Sequence, residues 1–138
     1  MRYLIIFFLL FSTNANAKKI QLTNCYNENT NFDTSKFEER KFVIDEERNV
    51  ISFVIVYQDA YLKKEKEAMK KAYGAKAAAD LRKISTRSYP IKYFGDEYVE
   101  AIKKGREGRD DGYVVNLKKK SVESISSFFS FTTNWQCK

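Results

Sequence analysis

Two carboxylate pairs, Glu46-Glu47 and Asp110-Asp111, and the lysine series Lys63, Lys66, Lys70 and Lys71 are the residues on which chemistry would rest. Two acids can hydrolyse a glycosidic bond when they face each other across a cleft at a set separation. Here the members of each pair are sequence neighbours in turn-rich surroundings, where solvated turn acids are the ordinary outcome. The sequence has no histidine, which removes an imidazole base, a Ser-His-Asp arrangement and ordinary zinc or copper ligation. Asp110-Asp111-Gly112 lacks the alternating oxygen ligands of a calcium loop. Gly105-Arg106-Glu107-Gly108 is not followed by the Gly-Lys-Ser/Thr of a phosphate-cradling loop. No metal, no cofactor and no enzymatic activity are expected, and a carboxylate-based hydrolase is the remote alternative.

The two cysteines carry a different message. Met1-Arg2 is a short positive start, Tyr3–Phe11 is apolar, and Ala15-Asn16-Ala17 fits a secretory cleavage site. The apolar run falls short of the roughly 20 residues that a spanning helix needs, and no later stretch reaches it. Residues 1–17 are therefore expected to be a cleaved signal peptide, with 18–138 as one globular β-rich domain, periplasmic or secreted. In an oxidising compartment, Cys25 and Cys137, near the two ends of that domain, are expected to form a structural disulfide. Their wide spacing excludes a Cys-x-x-Cys redox motif.

The densest β-branched and aromatic stretch is Asn49–Tyr57. Ile51, Phe53, Ile55 and Tyr57 fall on one face and Val50, Val54 and Val56 on the other, with Ser52 the exception. A strand apolar on both faces is expected to be central and covered on both sides. Glu38–Ile44 precedes it across a polar turn and makes a hairpin. A second hairpin of the same design follows later: Tyr113-Val114-Val115-Asn116 repeats Phe42-Val43-Ile44-Asp45. In both, the terminal Asp or Asn can start the turn by binding nearby backbone. As aligned from sequence, the two turns differ in length by one residue.

Between the hairpins, Asp59–Lys83 has helical periodicity, with Asp59 as the expected cap. Lys63, Lys64, Lys66, Glu67, Lys70 and Lys71 share one side. Tyr61, Leu62, Ala68, Met69, Ala72 and Tyr73 share the other, interrupted by Glu65. Gly74 breaks the register, so Ala75–Lys83 is expected to follow as a second short helix or a kinked continuation. The alanine-rich side suits packing on a sheet. Pro90 then marks Ile84–Phe94 as an edge or bulged strand, because proline cannot donate to a ladder.

The expected fold is α+β and mainly β: a curved antiparallel sheet or small barrel of about seven strands, with one amphipathic helix inserted mid-chain and a terminal disulfide. In size and terminal staple it resembles small exported lipocalin-like or inhibitor barrels, in shape alone and without any of their motifs; shape does not carry function. The eight rings of Tyr89, Tyr93, Phe94, Tyr98, Phe128, Phe129, Phe131 and Trp135 are expected to fill the core, with a ligand cavity as the competing reading.

The formal net charge of +7 points to acidic partners. The lysine side of the helix, Lys63, Lys66, Lys70 and Lys71, is the candidate binding surface, against the plainer reading of a solvated face. The functional expectation is a non-enzymatic exported binding module for an acidic macromolecule, an anionic surface or a small apolar ligand. An inhibitor of a secreted enzyme is the alternative, and its target would need an acidic surface. Nucleic acid is not expected for an exported domain without a binding motif.

Overall fold

The structure is a computed structural model that describes residues 17–30, 34–127 and 131–138. The expected leader, up to residue 16, lies outside the described residues, as do Phe128, Phe129 and the side chain of Phe131. The chain forms β1 (Lys19–Leu22), β2 (Tyr26–Asn27), β3 (Glu38–Asp45) and β4 (Val50–Tyr57), then α1 (Asp59–Tyr73) and α2 (Ala75–Asp80). It continues as β5 (Ile84–Pro90), β6 (Tyr93–Phe94), β7 (Tyr98–Lys103), β8 (Asp111–Asn116), β9 (Ser121–Ser126) and β10 (Phe131–Gln136).

These strands pair antiparallel into two sheets, ordered β1-β3-β4-β5 and β2-β10-β9-β8-β7-β6. Neither order returns to its start, so the hydrogen-bonded strands do not close a barrel. The count among the described residues is ten strands against the expected seven or so. Two expected strands divide because each passes from one sheet to the other. Lys19–Tyr26, whose weak alternation of Ile20, Leu22 and then Cys25 reads from sequence as one short first strand, becomes β1 and β2, and Ile84–Phe94 becomes β5 and β6. At the second corner consecutive residues serve different sheets: Ile91 N–H donates to Asn49 C=O (2.9 Å) and Lys92 N–H to Glu100 C=O (2.8 Å). Sheets joined by strands that switch between them are a standard way to make a two-layer fold.

The inner faces of the sheets meet in one core. Leu22, Phe42, Ile44 and Ile51 come from the first sheet, and Val99, Ala101, Tyr113, Val115, Val122 and Trp135 from the second. Phe42 stacks on Phe53 at 4.7 Å and meets the edge of Tyr113 at 5.2 Å, so rings bridge the two layers. Cys25 and Cys137 are both buried and bonded to each other. Beside them Thr23 and Lys138 exchange backbone hydrogen bonds of 2.8 and 3.3 Å. The Thr23–Cys25 segment and the C-terminal residues Cys137-Lys138 are thus fastened together at the corner where β1 passes into β2.

Both expected hairpins form, and they match more closely than the sequence alignment suggested. Asp45 pairs with Val50 and Asn116 with Ser121, so each turn holds four residues and the lengths are equal. Asp45 Oδ1 accepts from Arg48 N–H at 3.0 Å, and Asn116 Oδ1 from Lys119 N–H at 2.8 Å. The last turn residue, Asn49 or Lys120, adopts φ near +55° or +51°. Ser121 looked like turn because it is polar, but it is already in the ladder.

Gly112 sits where β7 and β8 approach closely. Its φ is +154°, and a Cβ there would run into the Ala101 carbonyl. Gly112→Ala is expected to destabilise by about 2–3 kcal/mol, the upper part of the ordinary range, read as a drop in thermal midpoint.

Candidate functional site: a basic helical hairpin

Two expectations about the helix need correction. Asp59 is not the cap: the cap position is Gln58, without a side-chain hydrogen bond, and Asp59 occupies the first turn. There it pairs with Lys83 at 2.8 Å. The helix is also not laid on the sheet. α1 has no buried residue and packs against α2, so the pair forms a helical hairpin that stands off the sandwich. The outer face of β4 is correspondingly left half-buried at Val50, Val54 and Val56 instead of covered. The cause is composition: alanines and lysines offer too little apolar bulk to hold the hairpin down over those valines.

What holds the hairpin is its base. Tyr57 N–H donates to Lys83 C=O at 2.9 Å, and Gln58 N–H to Phe37 C=O at 2.8 Å. Gln58 Nε2 donates to Ser35 C=O at 3.0 Å. Tyr61 in the first turn packs on Phe37 (5.2 Å between centroids) and Tyr57 (6.0 Å). Burial and the neighbouring Glu38 carboxylate hold the Tyr57 phenol above its ordinary pKa, so it stays neutral. From that base the helices run outward to Gly74, whose φ of +91° turns the chain. Tyr73, next to it, is 75% exposed. Lys70 and Lys71 fall in the last turn of α1, where the helix dipole favours cations.

The groove between the helices is where sequence and structure meet. A cavity of about 360 Å³ is lined by Asp59, Leu62, Lys63, Lys66, Glu67, Lys70 and Ala78. Three of the four candidate lysines, Lys63, Lys66 and Lys70, come together on it, and Lys71 does not line it. Sequence reasoning missed Ala78 on α2 and Lys83 at the base. The break at Gly74 carried the information that a second helix would return, but not which side of α1 it would cover. Between Asp59 and Lys83, eight Lys and Arg face four Asp and Glu, so this segment carries four of the +7 formal charges.

Several charges elsewhere are engaged with near neighbours. A second cleft of about 770 Å³ beside the disulfide is lined by Asn24, Tyr26, Thr34, Glu38, Arg40 and Lys138, among others. Its Arg40 pairs with Glu38 and lies 5.2 Å over the Trp135 ring. Glu46 and Glu47 stand exposed in the first hairpin turn. Asp110 accepts from Lys104 Nζ at 2.6 Å. Asp111 accepts from the Ser127 hydroxyl at 2.7 Å and the Ser127 N–H at 2.9 Å, which holds its carboxyl below the usual range.

The described members of the aromatic set, Tyr89, Tyr93, Phe94, Tyr98 and Trp135, do not form one cavity lining. Trp135 is buried in the core, Tyr89 and Phe94 pack against it, and Tyr93 and Tyr98 are exposed. No helix among the described residues is long and apolar enough to cross a membrane. Comparison with known proteins adds no relative: no family model, no curated protein and no solved structure matches the chain.

Proposed function

We propose that this chain is a non-enzymatic, exported binding module that presents its helical hairpin to an acidic macromolecule. One observation carries the reading: a 15-residue helix that buries nothing in the fold leads the segment Asp59–Lys83, which holds four of the +7 formal charges. A helix of that length is marginal by itself in water, so it is kept by its base, its partner helix and its dipole, and not by a core. The groove offers three ammonium groups at successive turns, a spacing suited to a row of carboxylates. An acidic macromolecule fits better than a bilayer, because the exposed apolar residues of the hairpin are mostly alanines and supply little area for insertion. Inhibition of a secreted enzyme would be the special case in which that partner is an enzyme. The disulfide supports the exported setting, since such bonds persist in oxidising compartments.

Charge reversal tests this. Wild-type protein is expected to bind a polyglutamate surface at low ionic strength and to release it as salt rises. The variant Lys63→Glu/Lys66→Glu/Lys70→Glu is expected to lose about tenfold or more in affinity, equivalent to about 1.4 kcal/mol. Lys71→Glu, outside the groove, is expected to lose less. Unchanged polyglutamate binding by the triple variant would overturn the reading. Binding confined to phosphatidylglycerol vesicles would replace the acidic macromolecule with a membrane surface.

A further inference from the structure

The hairpin returns directly into β5, an edge strand whose residues are exposed from Ile84 to Ser88. Tyr57 N–H donates to Lys83 C=O, and at the other end Ile91 N–H donates to Asn49 C=O, both at 2.9 Å. Antiparallel pairs alternate between those that exchange hydrogen bonds and those that do not. With the observed register, Lys83, Ser85, Arg87, Tyr89 and Ile91 therefore turn their backbone groups toward β4. Ile84, Thr86 and Ser88 turn theirs away from it, and no hydrogen bond to their N–H groups is found among the described residues. Pro90 ends this row because it has no N–H.

The side chains along the row also divide by face. Ile84 and Thr86 lie beside Val56 and Val54 on the outer face, and Ile84 is 55% exposed. Lys83 and Arg87 lie on the opposite face, with Asp59 paired to Lys83 and Asp111 within electrostatic reach of Arg87. Asp111 is taken up by Ser127 as described, and the Lys83–Asp59 pair is solvent-exposed, so it is weak enough to exchange for a partner's carboxylate. A strand added here would thus meet apolar neighbours at alternate positions and cationic neighbours at the others. A second copy of this chain is a poor occupant, since antiparallel pairing about Thr86 would set Arg87 opposite Ser85 and Lys83 opposite Tyr89, giving neither cation an acidic partner.

We infer that the free edge of β5 takes an extended segment of the acidic partner by strand addition, pairing with Ile84, Thr86 and Ser88. Its recognition rule is alternation: β-branched residues toward Ile84 and Thr86, carboxylates toward Lys83 and Arg87. This shares with the preceding reading an acidic partner and makes that partner a polypeptide.

The test uses the full disulfide-bonded chain and a synthetic peptide of alternating Val and Glu. Saturation with the peptide is expected to slow amide exchange at Ile84, Thr86 and Ser88 at least about tenfold, equivalent to about 1.4 kcal/mol of protection. Thr86→Pro removes one outward N–H without touching the β4 ladder, so it is expected to stay folded yet bind at least about tenfold more weakly. Thr86→Ala, which keeps the N–H and loses only side-chain contact, is expected to bind more tightly than Thr86→Pro. Unchanged exchange at the three amides overturns the proposal, as does wild-type binding by a folded Thr86→Pro. If Thr86→Pro fails to fold, the exchange measurement on wild type decides alone. An alternating Val-Lys peptide that binds equally well would also overturn it. Loss of polyglutamate binding on hairpin charge reversal, together with unprotected edge amides, removes this inference and leaves the hairpin reading standing. The opposite pattern removes the hairpin reading and leaves the edge.

Discussion

Replacing both cysteines, Cys25→Ala with Cys137→Ala, is expected to lower stability by about 4–5 kcal/mol. The bridge closes a loop of 112 residues in sequence separation, nearly the whole described chain, and so removes much of the freedom of the unfolded state. It also fastens the point where β1 leaves the first sheet to the end of β10 in the second, and both half-cystines are buried there. Without it, the corner is tied by backbone hydrogen bonds such as the Thr23–Lys138 pair and Glu28 N–H to Asn134 C=O, together with the short β2–β10 ladder. Denaturant unfolding of the two forms checks this. The bridged protein should show the higher midpoint, and the cysteine-free protein a larger dependence on denaturant, because its unfolded chain is more expanded. A difference below about 1 kcal/mol would mean that the bridge constrains little, and that the sheet packing alone keeps the corner closed.

Phe42→Ala is expected to cost about 3–5 kcal/mol, the range for removing a large buried ring. Phe42 is 0% exposed and sits between the layers: Phe53 is beside it in its own sheet, and Tyr113 and Trp135 lie across from it at 5.2 and 6.2 Å. Its removal leaves a cavity lined by rigid rings that cannot easily collapse into it. Phe42→Leu keeps most of the volume and should cost clearly less. Calorimetric or denaturant midpoints of the two variants settle the comparison, and equal losses would contradict this packing account. Neither substitution should change polyglutamate affinity in protein that remains folded, because the hairpin base rests on Phe37, Tyr57 and Tyr61 instead.

Several features were legible because they depend on near neighbours. The two hairpins could be read from Asp45 and Asn116, since a side chain that binds backbone three residues on needs nothing distant. The helix and its break could be read from the lysine period and Gly74. Pro90 marked an edge strand, and the strand is an edge. The half-cystines could be paired because there were only two, near the ends of an expected exported domain.

Other features depended on segments far apart in the chain. Lys19–Tyr26 and Ile84–Phe94 each look like one β-run, yet each divides, because its two halves find partners in different sheets. The valines of β4 suggested cover on both faces, but apolar character on a strand does not say which element will reach it. The candidate lysines were identifiable as a series. That Lys63, Lys66 and Lys70 share a groove while Lys71 does not follows from where α2 lies.

The amino-acid order alone thus settled the local pieces: turns, helix periodicity, the strand that cannot be central, and the lysine series along one helix. The tertiary structure decided the rest, namely two open sheets instead of a barrel and a helical hairpin held at its base and left free along its length. The physical reason is that local geometry is set by short-range hydrogen bonding and sterics. Sheet membership and helix placement are set by which distant apolar surfaces bury each other, and the hairpin had too little such surface to compete.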